Sequence, residues 1–152
     1  MVSCWYQTRC PQTTSQGGCL CGVAAVAPQL DQLTTLILPD ANTKMMNLFL
    51  KQVSQDFANY FIVMQVDKAA WHRSKSLQIP ENIRLLPQPA HSPELIPVAH
   101  IWDDIRENYF SNRIFKSMDK VIDKVCEGLV NLACDSERLR SMTYFPHLKI
   151  SF

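Results

Sequence analysis

An aspartate closes an apolar run in the first half of the chain. The run reads YFIVMQVD, from Tyr60 to Asp67; it has the length of a strand and is apolar up to its final acid except at Gln65. A buried strand that ends on an acid delivers a carboxylate to the carboxyl end of a sheet, where magnesium and phosphate can bind. The alternative is an aspartate that caps the turn after the strand. Asp67 is therefore a candidate metal ligand.

An aromatic residue, a histidine and two cations follow within a few positions. The stretch WHRSK contains Trp71, His72, Arg73 and Lys75. Side chains of these types suit contact with the phosphate backbone of a nucleic acid. A solvated loop of ordinary charges has the same composition, so this stretch by itself leaves both interpretations open.

Six cysteines form a second candidate group, at Cys4, Cys10, Cys19, Cys21, Cys126 and Cys134. They contain no CxxC pair and the chain shows no export signal, which favours reduced thiols over a disulfide framework. A small zinc module built from the first four is an alternative, but their spacing matches no standard zinc knuckle.

Composition limits the classes of protein to consider. With 152 residues and 47% apolar residues, the chain suits one domain with its own core. The formal net charge is +1, so any contact with DNA must come from a local patch. No apolar run approaches the ~18 residues of a membrane span. We expect a soluble protein of the cytoplasm without a membrane partner.

The elements that position these residues alternate between strand and helix. The runs CLCGVAAVA and QLTTLILP predict a β-hairpin, and ANTKMMNLFLKQVSQDFANY predicts an amphipathic helix with Asn42 or Thr43 as N-cap. The run ending at Asp67 predicts a buried strand, and Ile83 to Pro87 a further short strand. This order indicates an α/β fold.

Two further helices are expected after a proline-rich loop. Apolar residues at helical spacing run from Val98 to Tyr109 and from Ser117 to Leu132, and Asp135 is expected to cap a short helix in the tail. We expect the two apolar faces to pack on the sheet of this chain. The alternative is that they bind a partner.

The segment Val66 to Arg113, VDKAAWHRSKSLQIPENIRLLPQPAHSPELIPVAHIWDDIRENYFSNR, carries a specific resemblance. It resembles the catalytic end of DDE transposases of the mariner superfamily, in the bacterial insertion-sequence branch. The family pattern runs D-x-A-x-W-H-R-S, then P-E-N-I-R-L, then P-P-Y-S-P-E-L-N-P-V-E-H-x-W-D and R-E-x-Y-F-x-N-R. The likeness extends from about Gly22 to the tail MTYFPHLK.

The resemblance implies an RNase H-like mixed sheet flanked by helices. In that family three carboxylates hold two Mg²⁺ or Mn²⁺ ions, which stabilise the attacking and leaving oxygens as DNA is cut and joined at transposon ends. Asp67 matches the second acid, which implies a catalytic, metal-binding role, with Trp71 to Lys75 against the DNA. Ala99 stands where the family has the glutamate of NPVEH, and a methyl group cannot bind a metal.

Other departures suggest that catalysis is lost. Ala70 replaces a common glycine, and Ile96 replaces an asparagine. The chain has no acid before Asp31, so the family's first acid is absent. Asp103 and Glu94 are possible substitutes for the third acid, but a shift of about one helical pitch, ~5 Å, is too large for metal geometry.

The missing first acid also bears on the sheet. In the family this acid lies on the central strand, which precedes the hairpin. The sheet is therefore expected to be truncated at its N-terminal, central strand, unless residues 1 to 10 substitute for it.

We therefore predict a single partial DDE transposase catalytic domain over residues 1–152. It comprises an irregular start (1–17), the sheet and first helix (18–87), a proline-rich loop (88–97), and closing helices with a tail (98–152). The expected function is that of an inactive transposase remnant. The alternative is a non-catalytic protein that associates with itself or with a full-length transposase and damps transposition.

Overall fold

The computed structural model describes residues 2–9, 21–66, 74–87 and 97–145, with the first of these ranges described by its backbone. Five strands form one mixed sheet: β1 (Val2–Arg9), β2 (Cys21–Ala27), β3 (Gln32–Leu38), β4 (Ile62–Val66) and β5 (Ile83–Pro87). Their order across the sheet is β3-β2-β1-β4-β5. The predicted hairpin of β2 and β3 is confirmed.

Four α-helices flank the sheet: α1 (Thr43–Asp56), α2 (Pro97–Ile105), α3 (Met118–Ala133) and α4 (Ser136–Thr143). A π-helical turn, Arg106–Phe110, continues α2. The predicted proline-rich loop lies outside the described residues except for Pro97, which begins α2. Across the described ranges, we find no helix with the length and apolar character needed to cross a membrane.

β1 occupies the centre of the sheet. It runs antiparallel to β2, with Trp5 opposite Val26, and parallel to β4, with Val2 opposite Ile62. The prediction of an irregular start over 1–17 is therefore wrong for residues 2–9, and the prediction of a truncated sheet is wrong because the stated alternative holds: this segment substitutes for the central strand. The physical reason is that strands on both sides pair with the backbone N–H and C=O groups of this segment.

One core lies between the sheet and α1. Side chains of α1, among them Phe49 and Val53, pack against Ile62 and Met64 of β4. The predicted N-cap Asn42 is confirmed, since its side chain accepts a hydrogen bond from the N–H of Met45 at 3.0 Å. Capping satisfies a backbone donor that the first turn leaves free.

A second core lies on the opposite face of the sheet. It joins α2, α3 and α4 to β2 through buried residues that include Ile101, Trp102, Leu129 and Leu139. The apolar faces predicted over 98–109 and 117–132 are therefore used within the chain. The predicted cap Asp135 is confirmed by a hydrogen bond that it accepts from the N–H of Arg138 at 3.0 Å.

The cysteines depart in part from the expected reduced state. Cys21 is disulfide-bonded, so the prediction of reduced thiols is wrong for this residue. A disulfide sulfur is not the thiolate that binds zinc. Cys126 and Cys134 are free and exposed on the surface near the end of the chain.

Candidate functional site

Four strands bring their carboxyl ends to one edge of the sheet, here called the carboxyl edge. β1, β4 and β5 are parallel, and β3 shares their direction because β2 is antiparallel to both β1 and β3. Asp67 directly follows β4 in the sequence. It lies outside the described residues, as do Trp71, His72, Arg73 and Glu94.

β1 contributes no acid to the carboxyl edge. Its sequence, VSCWYQTR, contains neither aspartate nor glutamate. Trp5 lies opposite Gln65, so the next residues of β1 are level with the end of β4. These residues, Tyr6 and Gln7, carry no negative charge with which to balance a divalent ion.

A tight contact fixes where α2 crosses the sheet. A Cβ atom on Gly22 would lie 2.6 Å from Cη2 of Trp102, so the backbone of β2 passes directly under the indole ring. Gly22 pairs with Arg9 at the carboxyl end of β1. Glycine in a strand permits such close approach. The contact places α2 over the carboxyl edge.

Ala99 lies about one helical turn before Trp102. It is partly buried and packs against the second core. Its methyl group therefore makes apolar contact at the position where the resemblance implies a carboxylate, and it offers no oxygen to a metal ion.

The other acids of α2 are held in ion pairs. Asp103 accepts a hydrogen bond from Arg106 at 3.0 Å. Asp104 accepts bonds from Arg138 through both carboxylate oxygens, at 2.7 and 2.9 Å. This hydrogen bonding raises the pKa of Arg138, and burial partly opposes the rise. Both carboxylates are thus bonded to cations of this chain, which argues against either serving as the missing third acid.

The residues that the structure describes do not form a two-metal site. Within the described ranges no group of three or more His, Cys, Asp or Glu side chains is placed to hold a metal ion. A two-metal site uses several carboxylates to complete the ions' oxygen shells and balance their charge. Here one aspartate follows β4, an alanine stands on α2, and β1 has no acid.

The candidate DNA-binding residue Lys75 lies on a turn that α1 holds in place. Asn47 of α1 donates to the carbonyl oxygen of Ser76 at 3.1 Å and accepts from the N–H of Gln78 at 2.7 Å. Within the turn, Ser74 accepts from the N–H of Ser76 at 3.2 Å. Lys75 is exposed. Sequence reasoning missed Asn47, because its contacts lie about thirty residues away along the chain.

The model of the DDE superfamily endonuclease family matches residues 7–122, which is more than half of the chain. The chain belongs to the DDE superfamily endonucleases. A relative in Sinorhizobium fredii (strain NBRC 101917 / NGR234), named uncharacterized protein y4pE/y4sA, is 36% identical over 103 residues. The match covers 67% of this chain and 76% of that protein.

Solved structures share the fold of this DDE family member at low sequence identity. The Mos1 transposase paired-end complex with left transposon end has a TM-score of 0.59 and 12% identity, over 94% of this chain and 56% of that one. The catalytic core domain of BIV integrase has a TM-score of 0.51 and 14% identity, over 84% and 81% of the two chains.

A chain of the simian T-cell lymphotropic virus intasome in complex with PP2A regulatory subunit B56 gamma has a TM-score of 0.58 and 9% identity, over 84% and 46%. This chain thus spans about half of the Mos1 and intasome chains. At such identities the likeness shows the fold alone. The expected RNase H-like α/β class is confirmed. The correction to that expectation is that β1 fills the central position of the sheet.

Proposed function

We propose that this chain is a catalytically inactive member of the DDE family that binds DNA without cutting or joining it. Its active relatives, by the resemblance, process DNA at insertion-sequence ends. The observation that carries the proposal is Ala99, whose methyl group packs against the second core at the position of the family's glutamate. The chain would act in the cytoplasm, where bacterial DNA is accessible.

Two losses act together in this proposal. Without a carboxylate at position 99 and without an acid on β1, Asp67 alone would have to hold both Mg²⁺ or Mn²⁺ ions. A single aspartate supplies at most two oxygens, whereas each ion takes about six ligands and balances its charge against nearby acids. In-line attack on a phosphodiester needs both ions in place, so strand cleavage is not expected.

The test is metal-dependent nicking of DNA. The purified chain would be incubated with supercoiled plasmid in Mg²⁺ or Mn²⁺, with the Asp67→Ala variant in parallel. We expect both proteins to leave the plasmid as intact as a protein-free control does. Nicking by the unmodified chain that Asp67→Ala abolishes would overturn the proposal.

The alternative of a partner-binding protein loses its original support. It rested on the apolar faces of α2 and α3, and those faces are buried in the second core. Association with a full-length transposase, or of the chain with itself, therefore stays a hypothesis. Co-purification of the chain with such a transposase would test it.

A further inference from the structure

Three lysines form a cationic surface beside the carboxyl edge, here called the lysine surface: Lys44, Lys51 and Lys75. On α1, Lys44 and Lys51 precede and follow Asn47 by three and four residues, a spacing that places all three on one side of the helix. Because Asn47 is hydrogen-bonded to Ser76 and Gln78, it holds Lys75 beside the other two.

The three cations are exposed and unpaired. Among the residues that the structure describes, none of them forms an ion pair, and each is solvent-exposed. The ion pairs of the described ranges instead involve cations of the opposite face: Arg106, Lys124, Arg138 and Arg140. Arg113, Lys116 and Lys120 near the start of α3 are likewise exposed and outside these ion pairs, so the lysine surface is distinguished by its position beside the carboxyl edge.

The topology connects this surface to the candidate site. β3 ends at Leu38 on the carboxyl edge, and α1 begins soon after at Thr43. Lys44 is thus close to the carboxyl edge, where β4 ends just before Asp67 in the sequence. Lys51 lies about 10 Å farther along the helix axis. One DNA strand presents a phosphate about every 3.4 Å along the duplex axis, so the surface spans several phosphates.

We infer that the lysine surface binds the phosphate backbone of DNA next to the candidate site, independently of base sequence. Lysine is a compact point charge that attracts phosphate without reading bases. With a net charge of only +1, the chain needs such a local patch to hold DNA. The inference rests on the proposed function, and it adds that DNA binding does not need the lost carboxylates.

The test compares two triple glutamine variants of the full chain. One is Lys44→Gln/Lys51→Gln/Lys75→Gln. The matched control, Arg113→Gln/Lys116→Gln/Lys120→Gln, removes three exposed cations from the segment around the start of α3. Binding of a fluorescein-labelled duplex of about 20 bp would be followed by fluorescence anisotropy across a salt series.

We expect the lysine-surface variant to bind DNA at least about tenfold more weakly near 0.1 M salt. The slope of log K plotted against log salt concentration should fall in magnitude by about 3, because three phosphate contacts are lost. The control should lose less than about threefold. A charge-keeping variant, Lys44→Arg/Lys51→Arg/Lys75→Arg, should bind within about twofold of the unmodified chain. Circular dichroism would show that all variants keep the fold.

Three results would overturn the inference. If both triple glutamine variants lose affinity equally, DNA responds to net charge rather than to this surface. If the lysine-surface variant binds normally, DNA contacts another face, and the proposed function still stands. If the unmodified chain binds no duplex at low salt, both the inference and the proposed function fail.

Discussion

Arg138 on α4 donates through one nitrogen, Nη2, to both carboxylate oxygens of Asp104 on α2, at 2.7 and 2.9 Å. The Asp104 side chain is 15% exposed and that of Arg138 37%. This pair fastens the last described helix to the helix that carries position 99. The hydrogen bond to Asp104 raises the pKa of Arg138.

Arg138→Gln should lower the free energy of unfolding by about 1 kcal/mol, because it leaves the carboxylate of Asp104 partly buried without its cation. The measurement is urea denaturation. The control is Arg106→Gln, which removes the exposed pair with Asp103 and should cost less than about 0.5 kcal/mol. Equal losses in the free energy of unfolding in the two variants would contradict a larger contribution from the Arg138–Asp104 pair.

Ala99→Glu should fold but remain inactive. Ala99 is the third residue of α2, where the helix dipole favours a carboxylate by about 0.3–1 kcal/mol, which offsets part of the cost of placing a larger, charged side chain against the second core. We therefore expect the free energy of unfolding to change by less than about 1 kcal/mol. No nicking in Mg²⁺ or Mn²⁺ is expected, because β1 still has no acid.

The matched control for that experiment is Ala99→Gln, which adds similar volume without charge. Plasmid nicking by Ala99→Glu but not by Ala99→Gln would show that two carboxylates suffice, and the account of two required losses would then be wrong.

Gly128→Ala should loosen the contact between α3 and α2. An added Cβ would lie 2.6 Å from Cδ1 of Ile105 and 3.0 Å from the ring of Tyr109. Overpacking costs about 1–3 kcal/mol, and the better helix propensity of alanine returns up to about 1 kcal/mol. We expect a net loss of about 1 kcal/mol in the free energy of unfolding.

A double-mutant cycle with Ile105→Val checks that explanation, because valine lacks the Cδ1 atom. Gly128→Ala should cost less in the Ile105→Val background than in the unmodified chain. Additive effects on the free energy of unfolding would show that contact with Ile105 does not cause the loss of stability in Gly128→Ala.

Asn82 should stabilise the carboxyl-terminal end of α1. Its amide nitrogen is within 3.3–3.5 Å of the carbonyl oxygens of Ser54, Phe57 and Tyr60, and its oxygen accepts from the Ser54 hydroxyl at 2.5 Å. Asn82→Ala should cost about 1 kcal/mol by removing these bonds. Asn82→Asp should cost about 2 kcal/mol, because a carboxylate would face the negative end of the helix dipole.

Urea denaturation at neutral pH measures both Asn82 changes. Asn131→Ala, which removes an exposed bond to the hydroxyl of Tyr109, is the control and should cost less than about 0.5 kcal/mol. An Asn82→Asp variant as stable as Asn82→Ala would rule out the dipole explanation.

Local signals predicted much of this fold. Asn42 and Asp135 could be predicted as caps because Asn and Asp are preferred N-cap residues and the bond is local. Each accepts it from the backbone N–H three positions later. Apolar spacing predicted the hairpin, α1, β4 and the closing helices, since one face of each must be buried. The resemblance predicted the family and the RNase H-like class, and it singled out position 99.

Non-local contacts were beyond prediction from the sequence. β1 has no apolar pattern of its own and becomes a strand through partners at Cys21–Ala27 and Ile62–Val66. The Arg138–Asp104 bond depends on how α4 packs beside α2, across 34 positions of sequence. Asn47 likewise forms hydrogen bonds with Ser76 and Gln78. Residue types alone do not predict that their turn lies beside α1.

The position of β1 between β2 and β4 affects how the chain can fold. Residue 2 pairs with residue 62, so the sheet closes only after the hairpin, α1 and β4 have left the ribosome. Such long-range parallel pairing is slow to form, because the loop-closure entropy must be overcome before the contacts form. Until then β1 can pair with β2 of the hairpin but has no partner on its other side, and another nascent copy could occupy that open edge. The period between synthesis of β2 and arrival of β4 is therefore when this chain is most vulnerable to aggregation.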